Sequence, residues 1–101
     1  SKYIGMILKN EGKEGYELRL YNAGGKMAMS EDFTGDYKNV KICGSQVIMY
    51  DGKKCGIFMR SGVQRFSGEM DNNILEIFPV AGVNKYIVMN ANGMEKVRLV
   101  K

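Results

Sequence analysis

Residues 46–68 read QVIMYDGKKCGIFMRSGVQRFSG and contain three short runs of apolar residues. Asp51-Gly52 and Ser61-Gly62 separate these runs, and both dipeptides are typical of tight turns. Links this short force each run to pair antiparallel with the next one. The stretch therefore predicts consecutive β-hairpins. No 3.6-residue period that would indicate a helix persists for three turns anywhere in the chain.

The same alternation of apolar run and turn continues along all 101 residues, and 13 glycines lie mostly between the runs. This pattern predicts an all-β protein, an antiparallel meander of about ten strands in a single domain spanning residues 1–101. The expected strands are residues 3–9, 16–21, 26–31, 37–43, 46–50, 54–60, 63–68, 73–79, 85–90 and 95–101.

Two pairs of segments correspond at nearly constant spacing, which indicates an internal repeat. Residues 20–25 (LYNAGG) align with residues 57–62 (IFMRSG) at an offset of 37, and residues 47–50 (VIMY) align with residues 87–90 (IVMN) at an offset of 40. Each repeat holds four strands. The chain is therefore divided into a partial repeat at 3–31, a full repeat at 37–68 and a partial repeat at 73–101.

The apolar runs also predict how the sheets pack. Residues 47–49 and 87–89 are apolar at every position, as expected of strands covered on both faces. Residues 17–20 and 96–99 alternate polar and apolar side chains, which indicates one solvated face. We therefore expect flat sheets stacked face to face, with the most apolar strands in the middle.

The segment 18–26 (LRLYNAGGK) and its counterpart 56–63 (GIFMRSGV) are similar to the outer strands and tight turn of a β-propeller blade. The chain thus resembles part of a β-propeller of the WD-repeat or quinoprotein-like kind. It is also similar to the C-terminal part of an uncharacterised bacterial family of membrane-anchored propeller proteins. The Trp-Asp signature and the tryptophan docking motif of quinoprotein propellers are missing, so the resemblance implies no quinone cofactor site.

The resemblance implies that the chain either is a fragment or closes by pairing with another copy, because a closed propeller has about four to eight blades. The first residue, Ser1, points the same way, since a processed or excised chain need not begin with Met. Any export signal or anchor would then lie outside this sequence, and the parent protein would be extracytoplasmic. Sheets left open at both ends of a short stack predict self-association into a dimer or a larger assembly.

Residue types exclude several kinds of active site. The chain has no histidine, so neither a Ser-His-Asp nor a Cys-His arrangement can be built. Its two cysteines, Cys43 and Cys55, are too few for a zinc site. A strand is expected between them, which places them about 10 Å apart, too far for a disulfide. We expect two free, buried thiols, no cofactor and no metal.

Four short groups of residues could have either a chemical role or a purely structural one. An acidic cluster could hold Ca²⁺, but a solvated loop explains it better. A methionine pair could hold Cu(I), but core filling explains it better. A glycine-lysine turn faintly resembles a phosphate loop, but a hairpin turn explains it better. A lysine pair at a hairpin tip is best explained as solvated edge charge. In the same order, these groups are Glu31, Asp32 and Asp36; Met27 and Met29; Gly24-Gly25-Lys26; and Lys53-Lys54.

We therefore expect a non-catalytic binding or scaffold module whose partner is a protein or a cell-surface polymer. Exposed tyrosines would be candidates for a peptide or glycan surface; the six are Tyr3, Tyr16, Tyr21, Tyr37, Tyr50 and Tyr86. One alternative is the substrate-binding part of a glycan hydrolase, which needs two carboxylates in a cleft. Candidates near strand ends are Asp36, Asp51, Glu69 and Asp71. A second alternative is weak nucleic-acid binding, given a net charge of +4.

Overall fold

The computed structural model describes residues 2–100, which form ten β-strands and no helix. The prediction of an all-β chain with about ten strands is confirmed. The strands are β1 (Tyr3–Lys9), β2 (Tyr16–Asn22), β3 (Met27–Phe33), β4 (Asn39–Cys43), β5 (Gln46–Asp51), β6 (Lys54–Met59), β7 (Gln64–Glu69), β8 (Glu76–Pro79), β9 (Lys85–Asn90) and β10 (Gly93–Arg98). In this part of the chain no helix is long and apolar enough to cross a membrane.

The strands form three antiparallel sheets in chain order. The first sheet is β1-β2-β3, the second is β4-β5-β6-β7 and the third is β8-β9-β10. Every hydrogen-bonded pair joins strands that are neighbours in sequence. The antiparallel meander is therefore confirmed. The predicted ends at Ser1 and Lys101 lie outside the described residues.

The second sheet is packed between the first and the third. Side chains of a strand point alternately to its two faces. On β5, Val47 and Met49 belong to the core shared with the first sheet, whereas Ile48 belongs to the core shared with the third sheet. On β6, Phe58 belongs to the core shared with the first sheet, and Ile57 belongs to the core shared with the third sheet. Double coverage of the second sheet thus accounts for its uninterrupted apolar runs, as expected.

Glycine is required at two kinds of position in the second sheet. Gly52, in the turn between β5 and β6, has a φ of 59°, which a side chain disfavours. Gly56 on β6 has an ordinary φ, but a Cβ there would lie 3.0 Å from the Oη atom of Tyr37. Gly56 therefore lets the Tyr37 ring approach the backbone of the central sheet.

Two expectations about the third sheet are wrong. On β9, Tyr86 and Val88 are buried against the second sheet, but Ile87 and Met89 on the other face are only half-buried. No sheet in the described chain covers that face, so the apolar run 87–89 does not mark a doubly covered strand.

The offset of 40 is also wrong, by one residue. Ile42 pairs with Val47 in the second sheet, and its counterpart Pro79, 37 residues on, pairs with Tyr86 in the third. On the predicted 37-residue alignment of these strands, Val47 would therefore correspond to Tyr86 at an offset of 39. A shift of one residue moves every side chain to the opposite face of a sheet, so the apolar pattern alone could not separate the two alignments.

The two cysteines are free, as expected, and β5 lies between their strands. Cys55 is buried, as predicted. Cys43 is only half-buried, which corrects the expectation of two buried thiols. Cys43 ends β4 next to the Gly44-Ser45 turn, where the edge of the sheet reaches solvent.

The packing of the second sheet makes a testable prediction about stability. Ile48 is 0% exposed at the centre of this sheet, whereas Ile4 on β1 is 64% exposed. We expect Ile48→Ala to lower the free energy of unfolding by about 2–5 kcal/mol, because it leaves a cavity in a packed core. The matched Ile4→Ala variant should lose less than about 1 kcal/mol. Urea denaturation at low protein concentration measures both, and equal losses would contradict the burial of Ile48 between the second and third sheets.

Candidate functional site

The first sheet has one solvent-facing side, which we call the first open face. Leu18 and Leu20 of β2 point into the core, so the intervening residues of β2 point outward. On β1, Ile4 and Met6 are both exposed on this side. The principal residues of the first open face are Ile4, Met6, Glu17, Arg19, Tyr21 and Asp32.

An ion pair and hydrogen bonds connect the polar side chains at the centre of the first open face. The Arg19 guanidinium lies 3.1 Å from the Glu17 carboxylate and donates a 3.4 Å hydrogen bond to the Tyr21 hydroxyl. The Ser30 hydroxyl donates to the same carboxylate. The hydrogen bond with Arg19, and then that with Ser30, lowers the pKa of Glu17. Glu17 therefore stays ionised on this face at neutral pH.

The third sheet also has one solvent-facing side, which we call the third open face. Half-buried apolar side chains from β8 and β9 occupy its centre, and Met94 of β10 is exposed beside them. Three exposed cations surround this apolar centre, so the face is apolar and positively charged. The principal residues of the third open face are Phe78, Ile87, Met89, Met94, Lys96 and Arg98, with Lys85 at its edge.

An ion pair ties the first strands of the second and third sheets together. The Lys41 ammonium on β4 donates a 2.6 Å hydrogen bond to the Glu76 carboxylate on β8. The Tyr50 hydroxyl donates to the same carboxylate oxygen at 3.2 Å, and so does the Ile77 backbone amide at 3.1 Å. The Lys41 hydrogen bond, followed by that of Ile77, lowers the pKa of Glu76. The Glu76 carboxylate thus holds the second and third sheets together, and it accepts a hydrogen bond from each of the three donors.

The predicted acidic cluster is not a metal site in the structure. Asp32 pairs with the Lys13 ammonium at 2.9 Å, whereas Asp36 accepts a 3.0 Å hydrogen bond from the Tyr16 hydroxyl. Glu31 lies beside Gly62 of the second sheet. Over residues 2–100, no group of three or more Cys, Asp or Glu side chains has a geometry that could hold a metal ion.

The carboxylates considered for hydrolysis are also dispersed. Asp51 and Glu69 both lie opposite Lys54 in the register, on strands either side of β6. Their backbones are therefore about 10 Å apart, with β6 between them. Asp36 is held by Tyr16, and Asp71 lines a separate hollow of about 360 Å³.

A second hollow was not anticipated from the sequence. It has a volume of about 350 Å³ and lies between the β1–β2 loop, the end of β3 and the edge strand β7. Lys13, Glu14, Asp32 and Gln64 contribute polar groups to it. Its carboxylate Asp32 is already neutralised by Lys13, and both side chains are more than half exposed. No local sequence signal marks this hollow, because strands from two sheets build it.

The structure assigns local roles to the other short groups. Asn22 organises Gly24-Gly25-Lys26 into a hairpin turn, since its side-chain oxygen accepts from the amides of Gly24 and Lys26 at 2.9 and 3.0 Å. Met29 is buried in the core, but Met27 is exposed because the register of β2 and β3 shifts at that end. At the hairpin tip of the second sheet, Lys53 is exposed and Lys54 lies 5.8 Å above the Tyr37 ring.

The tyrosines divide by position. Tyr50 and Tyr86 are buried, and the other four are half-buried. Tyr16 stacks on Phe33 with ring centroids 5.9 Å apart, which assigns it to the core edge. Tyr21 contributes an aromatic ring to the first open face. Exposure of Tyr21 could not be inferred from the sequence, since it depends on which face of β2 is covered.

The clamp between the second and third sheets predicts an acid-dependent loss of stability. A depressed carboxyl pKa stabilises the folded state above the unfolded pKa, near the ordinary value of 4.5, and this stabilisation is lost as pH falls through the lower folded pKa. Glu76→Gln should therefore cost roughly 0.5–1 kcal/mol at neutral pH, a modest value because both side chains are partly solvated. The difference from wild type should shrink below pH 4.5.

Chemical denaturation at several pH values measures this difference. Glu11→Gln, in the exposed β1–β2 loop, is the control and should change the unfolding free energy by less than about 0.5 kcal/mol. A Glu76→Gln effect that stayed constant down to strongly acidic pH would show that the Glu76 charge does not stabilise the fold.

The thiols predict a second measurable difference. Burial raises the pKa of Cys55 to about 12, and Cys55 is 0% exposed, so its thiolate is scarce and inaccessible. In the native protein, Ellman's reagent should modify Cys43 first and Cys55 only on unfolding. The Cys43→Ser and Cys55→Ser variants assign each rate. Rapid native modification of the Cys43→Ser variant would contradict the buried position of Cys55.

Comparison with known families places the chain in one of them through residues 1–99. Residues 1–99 match the model described as a family of unknown function, DUF5711. No significant match was found among curated proteins or solved structures. The family match extends through all three sheets and therefore includes both open faces. On this evidence, the chain belongs to the DUF5711 family, a family of unknown function.

Proposed function

We propose that the chain is a non-catalytic binding or scaffold module whose two open faces are its contact surfaces for protein. The observation that carries this proposal is the apolar side chains on the solvent side of both end sheets. Ile4 and Met94 are 64% and 66% exposed, and each lies beside half-buried apolar neighbours. Apolar patches bordered by polar residues are typical of protein contact sites.

The arrangement of the sheets supports a propeller-like module. Leu18 and Leu20 of the first sheet face the second sheet, and the residues 37 positions later, Cys55 and Ile57, face the third sheet. Equivalent side chains thus point the same way along the stack, as they do in successive propeller blades. Fold alone does not determine function, so the proposal rests on the open faces.

The two alternative functions have less support. The carboxylates considered for hydrolysis are dispersed, and the hollow near Asp32 has its carboxylate paired with Lys13. Electrostatic binding of nucleic acid draws support from the net charge of +4 and from Lys85, Lys96 and Arg98 on the third open face. An extracytoplasmic, membrane-anchored parent protein remains an expectation from the resemblance to anchored propellers.

Site-specific photo-crosslinking in the native host cells tests the proposed function. A benzophenone amino acid replaces Ile4 or Met94, and in the control it replaces Val63, a 62% exposed residue in the β6–β7 turn. We expect protein adducts, including adducts with the chain itself, at positions 4 and 94 and far fewer at position 63. Equal yields at all three positions, or no protein adduct at either face, would contradict the proposal.

A further inference from the structure

We propose that one end of the strands binds an uncharged, hydroxyl-rich polysaccharide. Alternate links of an antiparallel meander lie at opposite ends of its strands. The links β1–β2, β3–β4, β5–β6, β7–β8 and β9–β10 therefore lie at the same end, which we call the loop end. This inference is separate from the two open faces, because links within the chain build the loop end.

The two ends of the strands differ in composition. The five links of the loop end carry four carboxylates and three lysines, whereas the four links of the opposite end carry two cations and no carboxylate. Four asparagines lie in links of the loop end, against one at the opposite end. Binding residues are found disproportionately on loops that a rigid scaffold positions. The groups able to recognise a polar ligand are therefore concentrated at the loop end.

Two hollows of nearly equal volume lie at the loop end. The Lys13 hollow, of about 350 Å³, lies between the first and second sheets, and the Lys53 hollow, of about 360 Å³, lies between the second and third. Each takes its lysine from a hairpin link of one sheet, β1–β2 or β5–β6. Each takes further groups, Thr34 in one and Asp71 in the other, from the link that leaves that sheet. The two hollows are therefore built in the same way in successive sheets.

Both hollows combine hydrogen-bond donors with acceptors and have no dominant charge. Lys13, Glu14 and Asp32 line the first of them beside amide and hydroxyl side chains. Lys53 and Asp71 line the other beside three asparagines. A sugar hydroxyl both donates and accepts hydrogen bonds, so it matches such a mixture of groups. A polyanion would meet a carboxylate in each hollow, which favours an uncharged ligand.

The polar groups of the hollows have capacity left for a ligand. Lys13 donates one hydrogen bond, to Asp32, although an ammonium group has three N–H donors. A carboxylate has about four acceptor positions, and the Lys13 contact uses one oxygen of Asp32. Both side chains are more than half exposed. In the other hollow, Lys53, Asp71 and the three asparagines are all exposed. The ion pair therefore does not close the Lys13 hollow to a polar ligand.

Two further features match a polysaccharide. Leu75 is 64% exposed and lines the Lys53 hollow, where it provides an apolar contact for the C–H face of a sugar ring. Two similar hollows in successive sheets suit a ligand that repeats the same unit along its length. A chain that occupies both hollows binds more tightly than a unit that occupies one, because its second contact is intramolecular.

Isothermal titration calorimetry of the native chain tests this proposal. The uncharged probes are dextran, soluble starch, hydroxyethyl cellulose, xylan and mannan, and heparin is the polyanionic probe. At about 0.15 M salt, where exposed charges are screened, we expect at least one uncharged probe to bind and heparin to bind more weakly. Short oligosaccharides of the same probe should bind more weakly than the long chain, because they reach only one hollow.

Matched substitutions locate the site. Lys13→Ala and Asp71→Ala each remove a charged group from one hollow, so we expect the affinity for the bound polysaccharide to fall about 10-fold or more. The controls are Lys26→Ala, at the opposite end, and Glu11→Ala, in a loop-end link outside both hollows. Each control should leave the affinity within about 2-fold of wild type. All four residues are exposed, and circular dichroism checks that each variant is folded.

Three results would overturn the polysaccharide proposal. The first is that no uncharged probe binds the wild-type chain. The second is that heparin binds more tightly than every uncharged probe, which indicates electrostatic binding of a polyanion. The third is that the control substitutions weaken binding as much as Lys13→Ala and Asp71→Ala do. Crosslinking at positions 4 and 94 is a separate measurement, so this inference and the proposed function can fail independently.

Discussion

Burial of the second sheet on both faces is the constraint on which the rest of the structure depends. Strand side chains alternate between faces, so a doubly covered strand must be apolar at successive positions. Val47, Ile48 and Met49 meet this requirement, each with no exposed surface. Because neighbouring residues of one strand belong to different cores, a polar substitution there would disturb contact with one flanking sheet and leave the other intact. The second sheet therefore joins the first and third sheets by covering one apolar face of each.

Because the second sheet lies between them, the first and third sheets each have only one covered side. On β2 the solvent side is occupied by Glu17 and Arg19, whose ion pair suits a wet surface. On β9 the solvent side instead carries Ile87 and Met89. The two ends of the stack therefore differ in chemistry. The Glu76 clamp has a different role, because it holds the second and third sheets in a defined relation within one chain.

The pairing of the strands decided which of the candidate site residues lie close together and which lie apart. Glu31, Asp32 and Asp36 are close in sequence, but different neighbours engage them once β3 pairs with β2. The hollow beside Asp32 could not have been anticipated, because residues from two sheets build it. The open faces were expected only in general terms, since an apolar run such as 87–89 does not reveal whether a second sheet covers it. The offset of 39 rather than 40 likewise depends on hairpin register.

The sequence by itself determined the ten strands, their antiparallel order and the turns between them, because period-two patterns and glycine-containing links act over a few residues. The absence of histidine likewise excluded several reaction types from the sequence alone. Only the tertiary structure decided which face of each strand is covered, how Cys43 differs from Cys55, and where Lys41 meets Glu76. Those properties depend on contacts between residues far apart in the chain, and a local pattern contains no record of which sheet lies against which.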